Sequence, residues 1–260
     1  MVSLKDLKPR LQQYLKDLHL PTVRSLYEPL ATQAQQDSFS YEQYLYELIE
    51  KECEVRQQNR VNRFLQESKL PLEKTFPQFD RSRLSRKLNQ QVNDLIQGTF
   101  LDQKENVLAF GNPGSGKTHL LCAIAQELIH QGHRVYFRSC NLLVQDLLVA
   151  KQELRLSRFI KALAKFEALL LDDIGYVQQS REEMEVLFTL LAERYETGSV
   201  MITSNLAFSQ WERIFKDPMT TAAAVDRLIH HSVILELNLP SYRMNTAKTN
   251  KQKEAIPKSS

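Results

Sequence analysis

The sequence predicts an α/β protein built on a five-stranded parallel sheet flanked by helices and preceded by a small all-α N-terminal domain. Three observations predict it. From about residue 84, short continuously apolar runs alternate with helical stretches, as in a parallel sheet covered on both faces. Residues 1–75 contain no glycine and carry apolar residues at helical spacing. A glycine-rich loop comes after the first apolar run and leads straight into a helix.

Three helices come first. Leu4, Leu7, Leu11, Leu15 and Leu18 mark one that Pro21 interrupts. Val23, Leu26, Leu30 and Ala34 mark a second. A third starts at Ser40, which forms a capping box with Gln43. Tyr41, Leu45, Leu48, Ile49 and Val55 line its apolar side, and Arg56, Arg60 and Arg63 make a basic end. Residues 1–75 read as an oligomerisation, DNA- or partner-docking domain, or as a packing extension of the main domain. Pro71 and Pro77 bracket a segment that reads as a linker. Residues 76–245 then hold strands at 107–110, 135–137, 168–171, 200–203 and 233–235. Helices are expected at 117–131, 140–150, 153–166, 181–196 and 207–231, the last broken near Pro218. Residues 246–260, rich in Lys, Asn, Thr and Ser, read as a disordered basic tail.

No apolar run approaches the roughly 20 residues of a membrane span, and the N-terminal stretch lacks the apolar core of a secretory signal. Cys53, Cys122 and Cys140 are odd in number and not in zinc spacing, so they read as small buried hydrophobes in a reducing cytoplasm. The net charge of +3 decides little, but its distribution is uneven. Lys151, Arg155, Arg158, Lys161 and Lys165 recur at three- and four-residue intervals, as a basic stripe on one helix would. Such a stripe attracts phosphate backbones, or it is an ordinary solvated face.

The chemistry centres on Gly111, Asn112, Pro113, Gly114, Ser115, Gly116, Lys117 and Thr118, a full P-loop pattern that takes three of the chain's seven glycines. The glycines let backbone N–H groups turn inward on phosphate oxygens. Lys117 supplies a charge for the β- and γ-phosphates of ATP, and Thr118 a hydroxyl for Mg²⁺. His119, next along the helix, completes the cradle. A second element is the apolar run ending in Asp172 and Asp173. Acids at the carboxyl end of a buried strand sit where α/β sheets bind ligands. Asp172 is placed to hold Mg²⁺ and Asp173 to polarise the attacking water, unless both serve a helix N-terminus. Third, Asn205 closes a later strand, where it orients water or caps the next helix.

The P-loop, LLLDDIGY, ERYETGSVMITSNLAFSQW, AVDRLIHH and a late Ser-Tyr-Arg triplet occur in that order. Together they resemble the IstB/DnaC group of AAA+ ATPases, and most closely the IstB-type transposition helpers, over nearly the whole chain. The resemblance implies an AAA+ P-loop core in which Asn205 is the sensor-1 residue and Arg227 the arginine finger reaching a neighbour's nucleotide. It makes Arg243 the sensor-2 arginine. Read without it, Arg227 pairs with a helix carboxylate and Arg243 belongs to the tail. Asp173 departs from the Glu of many AAA+ proteins; its shorter arm implies slow hydrolysis, suited to a switch. The resemblance further implies a cytoplasmic, Mg²⁺-dependent ATPase that assembles as a homo-oligomer on duplex DNA and recruits or activates a transposase, with no membrane partner. A DnaC-type helicase loader shares every motif, and a small-molecule P-loop kinase would share the loop but have no use for Arg227.

Overall fold

The structure, a computed structural model, describes residues 4–175, 180–206, 210–211 and 226–242. The chain divides into two compact units, Met1–Arg63 and Phe64–Ser260.

In the first unit, α1 (Leu4–Asp17) and α2 (Pro21–Gln36) precede α3 (Tyr41–Ser68), which runs past the division. Pro21 occupies the first turn of α2, where a missing N–H costs nothing, so it starts a helix as well as ending one. The expected capping box is present. Ser40 N–H donates to Gln43 Oε1 at 2.8 Å and Gln43 N–H to Ser40 Oγ at 3.2 Å. The core is small: Leu15, Val23 and Leu48, with Leu26, Leu30 and Tyr44 against them. Much of the apolar stripe read from the sequence faces outward instead, with Leu7, Leu11, Leu18, Tyr41, Leu45, Ile49 and Val55 exposed.

The second unit is a five-stranded sheet, order β2-β3-β4-β1-β5, with every pairing parallel. The strands are β1 (Asn106–Gly111), β2 (Val135–Ser139), β3 (Ala168–Ile174), β4 (Ser199–Ser204) and β5 (Ser232–Leu237). Each contains its predicted run. Helices α4 (Arg86–Ile96) and α5 (Thr99–Asp102) lead in. α6 (Lys117–His130) follows β1, α7 (Cys140–Gln152) and α8 (Leu156–Leu163) follow β2, and α9 (Arg181–Arg194) follows β3. α6 is buried nearly all round through Leu120, Leu121, Ile124, Leu128 and Ile129. On the other core cluster, Leu143 and Leu147 of α7 meet Leu187 and Leu190 of α9.

Three expectations need correction. The linker is no free connection: Gln126 Nε2 on α6 donates to Lys74 O at 3.2 Å, and His119 Nε2 lies 2.8 Å from Thr75 O. Within the second unit, Arg134 pairs with Glu67 at 2.7 Å and lies over the Phe64 ring. The basic stripe does not share one helix, because Leu154 takes a left-handed conformation (φ 55°) between α7 and α8. Two of its members are paired, Lys151 with Glu185 at 3.1 Å and Arg155 with Glu153. Finally, Cys122 and Cys140 are buried as expected, but Cys53 is exposed. The predicted 207–231 helix falls largely outside the described residues; within it, residues 226–229 are helical. The basic tail lies outside them as well.

Candidate functional site

β1 delivers the glycine-rich loop to the carboxyl edge of the sheet, and α6 starts at Lys117. Gly114 (φ 78°) and Gly116 (φ 102°) take left-handed conformations that L side chains rarely adopt. A Cβ on Gly111 would strike the Leu237 carbonyl of β5, and one on Gly116 would sit 3.0 Å from the Phe79 ring. These glycines therefore let the loop pass close to its neighbours. Lys117 is 6% exposed, and its ammonium donates to Gly111 O at 2.8 Å and Asn112 O at 3.0 Å. It also donates to Asn205 Oδ1 at 2.5 Å.

β3 brings the acids beside this loop. Thr118 Oγ1 donates to Asp172 Oδ1 at 2.7 Å, and Thr203 Oγ1 donates to the same oxygen at 2.6 Å. At Asp173 the chain turns out of register with β4: φ is 65°, and the pairing slips between Leu171 and Ile174. Asp173 N–H then donates to Thr203 Oγ1 at 2.8 Å. Left-handed backbone tolerates Asp and Asn better than other residues with a Cβ, a local physical reason for the shorter acid here. Asn205 Nδ2 donates to Asp173 Oδ1 at 3.1 Å. An ammonium only donates and a carboxylate only accepts, so the two partners fix the orientation of the amide. Asn205 thus reaches into the cleft.

The cleft encloses about 440 Å³. Lys117, Thr118, His119, Asp173 and Asn205 line one side, and Gln78, Phe79, Asp80, Arg83 and Tyr242 another. In the sequence Gln78, Phe79 and Asp80 of this second wall read as part of a linker. Phe79 packs against His119 with centroids 5.3 Å apart, and Asp80 receives the Ser82 N–H at 3.1 Å. Arg83 donates to Pro240 O at 2.5 Å and lies over the Tyr242 ring, while Tyr242 N–H donates to Gly114 O at 2.9 Å. Arg243 lies outside the described residues. Thr203 is a further site residue that the sequence motifs do not single out. Its signal is a hydroxyl at the end of a fully buried strand, which must find partners. On α6 behind the loop, burial pushes the Cys122 thiol up to about 12, so it stays protonated.

The structure brings Lys117, Thr118, His119, Asp172, Asp173 and Asn205 together, but Arg227 stands apart. It precedes β5, whose Ser232 pairs with Asn106 at the start of β1, whereas Leu237 pairs with Gly111 at the other end. Five strand residues, about 17 Å, separate the two edges. Arg227 lies over the Phe188 ring at 5.1 Å, and among the described residues no ion pair involves it. No group of His, Cys, Asp and Glu suited to a metal ion occurs among the described residues. No helix among them is long and apolar enough to cross a membrane.

Known proteins match this architecture. The sequence model of the IstB-like ATP-binding protein family matches residues 13–250. A Sinorhizobium fredii protein named for ATP binding in an insertion sequence is 41% identical over 249 residues, 95% of this chain and 84% of that protein. The corresponding protein of insertion sequence IS5376 from Geobacillus stearothermophilus is 34% identical, over 95% of this chain and 99% of its own. That of IS21 from Pseudomonas aeruginosa is 38% identical, over 84% and 82%. Among solved structures, AMPPCP-bound DnaA from Aquifex aeolicus superposes with TM-score 0.56 at 18% identity, over 74% of this chain and 58% of DnaA. The DnaC helicase loader superposes with TM-score 0.51 at 21% identity, over 58% and 88%. These likenesses show that the chain shares its fold with DnaA and the DnaC helicase loader.

Proposed function

The chain belongs to the IstB-like ATP-binding protein family, and we propose that it is an Mg²⁺-dependent ATPase that assembles on duplex DNA to serve a partner transposase. One observation carries the ATPase reading. Lys117, Thr118, Asp172, Asp173 and Asn205 converge on one cleft, while Arg227 lies at the far edge of the sheet.

ATP lies along the glycine-rich loop, with the start of α6 directed at its phosphates. Lys117 then exchanges its carbonyl partners for phosphate oxygens, which are stronger acceptors because they are anionic. The adjoining Thr118 hydroxyl and Asp172 carboxylate are hard oxygen donors and fit Mg²⁺, which shields phosphate charge when bound. Thr203 steadies Asp172 from behind. Asp173 takes the proton of the attacking water, and Asn205 aligns that water while reporting on Lys117. His119 and Phe79 close the side of the cradle. Arg243 acts on the phosphates of its own subunit.

Arg227, about 17 Å away along β1, cannot reach its own subunit's cleft and serves a neighbour's. ATP is therefore completed at an interface between copies, and binding drives assembly. Exposed Arg158 and Lys161 on α8 contact DNA phosphates. The relatives named for insertion sequences support the transposase partner. They favour it over a helicase loader, whose likeness is one of fold at 21% identity.

Sedimentation and electron microscopy of the protein with Mg²⁺ and ATP, on duplex or single-stranded DNA, test the assembly. The expected result is an oligomer that needs ATP, prefers duplex, varies little with sequence and dissociates steeply as salt rises. Preference for single strands would return the helicase-loader reading, and salt-insensitive binding would remove the DNA role.

A further inference from the structure

Arg227 follows the start of a short helical turn, residues 226–229, held from both sides. Leu228 is 3% exposed, and its carbonyl accepts from Asn106 Nδ2 at 3.2 Å. The Asn106 side-chain oxygen accepts from Val200 N–H at 2.9 Å, and the Asn106 backbone N–H donates to His231 O at 2.7 Å. The backbone under Arg227 is thus tied to β1 and β4. A tethered backbone does not by itself aim a long side chain.

The side chain lies against Phe188. Its ring lies 5.1 Å from the guanidinium carbon, inside the range where the ring's negative face attracts a cation. Phe188 is firm support. It packs on the main core, and its neighbours on α9, Leu187 and Leu190, are fully buried. The capping box of Ser180 and Glu183 fixes the start of the helix.

An aromatic partner differs from a carboxylate in what it consumes. A carboxylate would occupy the N–H donors of the guanidinium edge and offset its charge. A ring uses only the flat face, leaving the charge and the in-plane donors for a planar or anionic target. An arginine that must wait for a neighbouring copy's phosphate needs that arrangement.

We propose that Phe188 is a positioning residue, whose ring holds Arg227 in the orientation that meets the γ-phosphate in the adjoining copy's cleft. The inference rests on the trans reading of Arg227. α9 also follows β3, which carries Asp172 and Asp173, so the platform sits on the element after a protomer's own acids.

The test uses the full chain with Mg²⁺, ATP and duplex DNA, at a temperature where melting curves show every variant folded. Phe188→Leu fills the core without a ring face, and Phe188→Tyr restores the face. The expected result is a fall in kcat of about 3- to 30-fold for Phe188→Leu, with Phe188→Tyr within about twofold of the parent. KM for ATP moves little, because the variant's own cleft is untouched. Mixing Phe188→Leu with an equal amount of Lys117→Ala raises the turnover per Phe188→Leu subunit, since Lys117→Ala subunits retain an oriented Arg227 and Phe188→Leu subunits retain ATP. Arg227→Ala, run in parallel, loses turnover by about a thousandfold or more. If Arg227→Ala is inactive but Phe188→Leu matches the parent, the platform is refuted and the trans reading survives. If Phe188→Leu loses activity that the mixture does not restore, its damage lies in its own cleft and the platform is again refuted. If Arg227→Ala matches the parent, the trans reading falls and the platform with it.

Discussion

The side-chain oxygen of Asn205 lies 2.5 Å from the Lys117 ammonium, so the end of β4 touches the loop that opens α6. The other end of the amide donates to Asp173 at 3.1 Å. One side chain therefore contacts both the group proposed to grip phosphate and the acid proposed to activate water. Asn205→Ala breaks this link without removing Lys117 or Thr118. kcat is expected to fall about a hundredfold, the scale of losing one preorganised donor, while the Kd for ATP changes by less than about threefold. Single-turnover hydrolysis alongside equilibrium nucleotide binding separates the two.

Asp173→Asn keeps the size and the tolerance for left-handed backbone of the original residue but cannot accept a proton. Hydrolysis should fall by about 10² to 10⁴, with ATP-driven association on DNA retained. Asp173→Glu lengthens the arm at a position with φ 65°, where backbone strain costs roughly 1–2 kcal/mol and Asp is among the better-tolerated residues. A lower melting temperature for the Glu variant than for the Asn variant checks that account.

Phe79 presses on Gly116 and His119 from the segment before α4. Phe79→Ala removes that wall but leaves the phosphate loop intact. ATP should bind about tenfold more weakly, from loss of roughly 1.5–3 kcal/mol of aromatic burial shared between protein and ligand. Calorimetric titration of ATP reads this, and inorganic triphosphate titrated in parallel should show no comparable loss.

Much of this site was legible because its chemistry is written in short contiguous runs. Gly111 to Thr118, the acids after an apolar strand and Asn205 after another each declare a type and an edge of the sheet. What stayed hidden depends on residues distant in sequence. The 74–83 strap has no periodicity, since its order comes from Gln126 and His119 on α6 rather than from its own pattern. Leu154 looks like any helical leucine, yet its left-handed backbone splits the basic stripe. The stacking of Arg227 on Phe188 joins residues from α9 and the turn before β5, which no local spacing announces.

Glu52 on α3 gives a pH-dependent test of the first unit. Its Oε2 accepts from the N–H groups of Thr22 at 2.8 Å and Val23 at 3.1 Å, capping α2 from another helix. Burial alone would raise its carboxyl, but hydrogen bonds from Arg56, Val23 and Thr22 outweigh that and hold it below the ordinary value of 4.5. With the folded value lowered, the unfolded chain protonates first as pH falls. The stabilisation is whole above pH 4.5 and is lost as pH drops through the folded value. Glu52→Ala should destabilise this unit by about 2 kcal/mol near neutrality, with a difference from the parent that shrinks in acid. Denaturant melts followed by helix signal at several pH values check both.

The most direct measurement is ATP turnover by a mixture of Lys117→Ala and Arg227→Ala subunits on duplex DNA. Each variant alone should be inactive, one for want of a grip on phosphate and the other for want of a guanidinium at the interface. Mixed in equal amounts, they should recover about a quarter of parental turnover, because about a quarter of head-to-tail contacts join an intact cleft to an intact Arg227. A mixture that co-assembles yet stays as inactive as its components would contradict a nucleotide site shared between neighbouring copies.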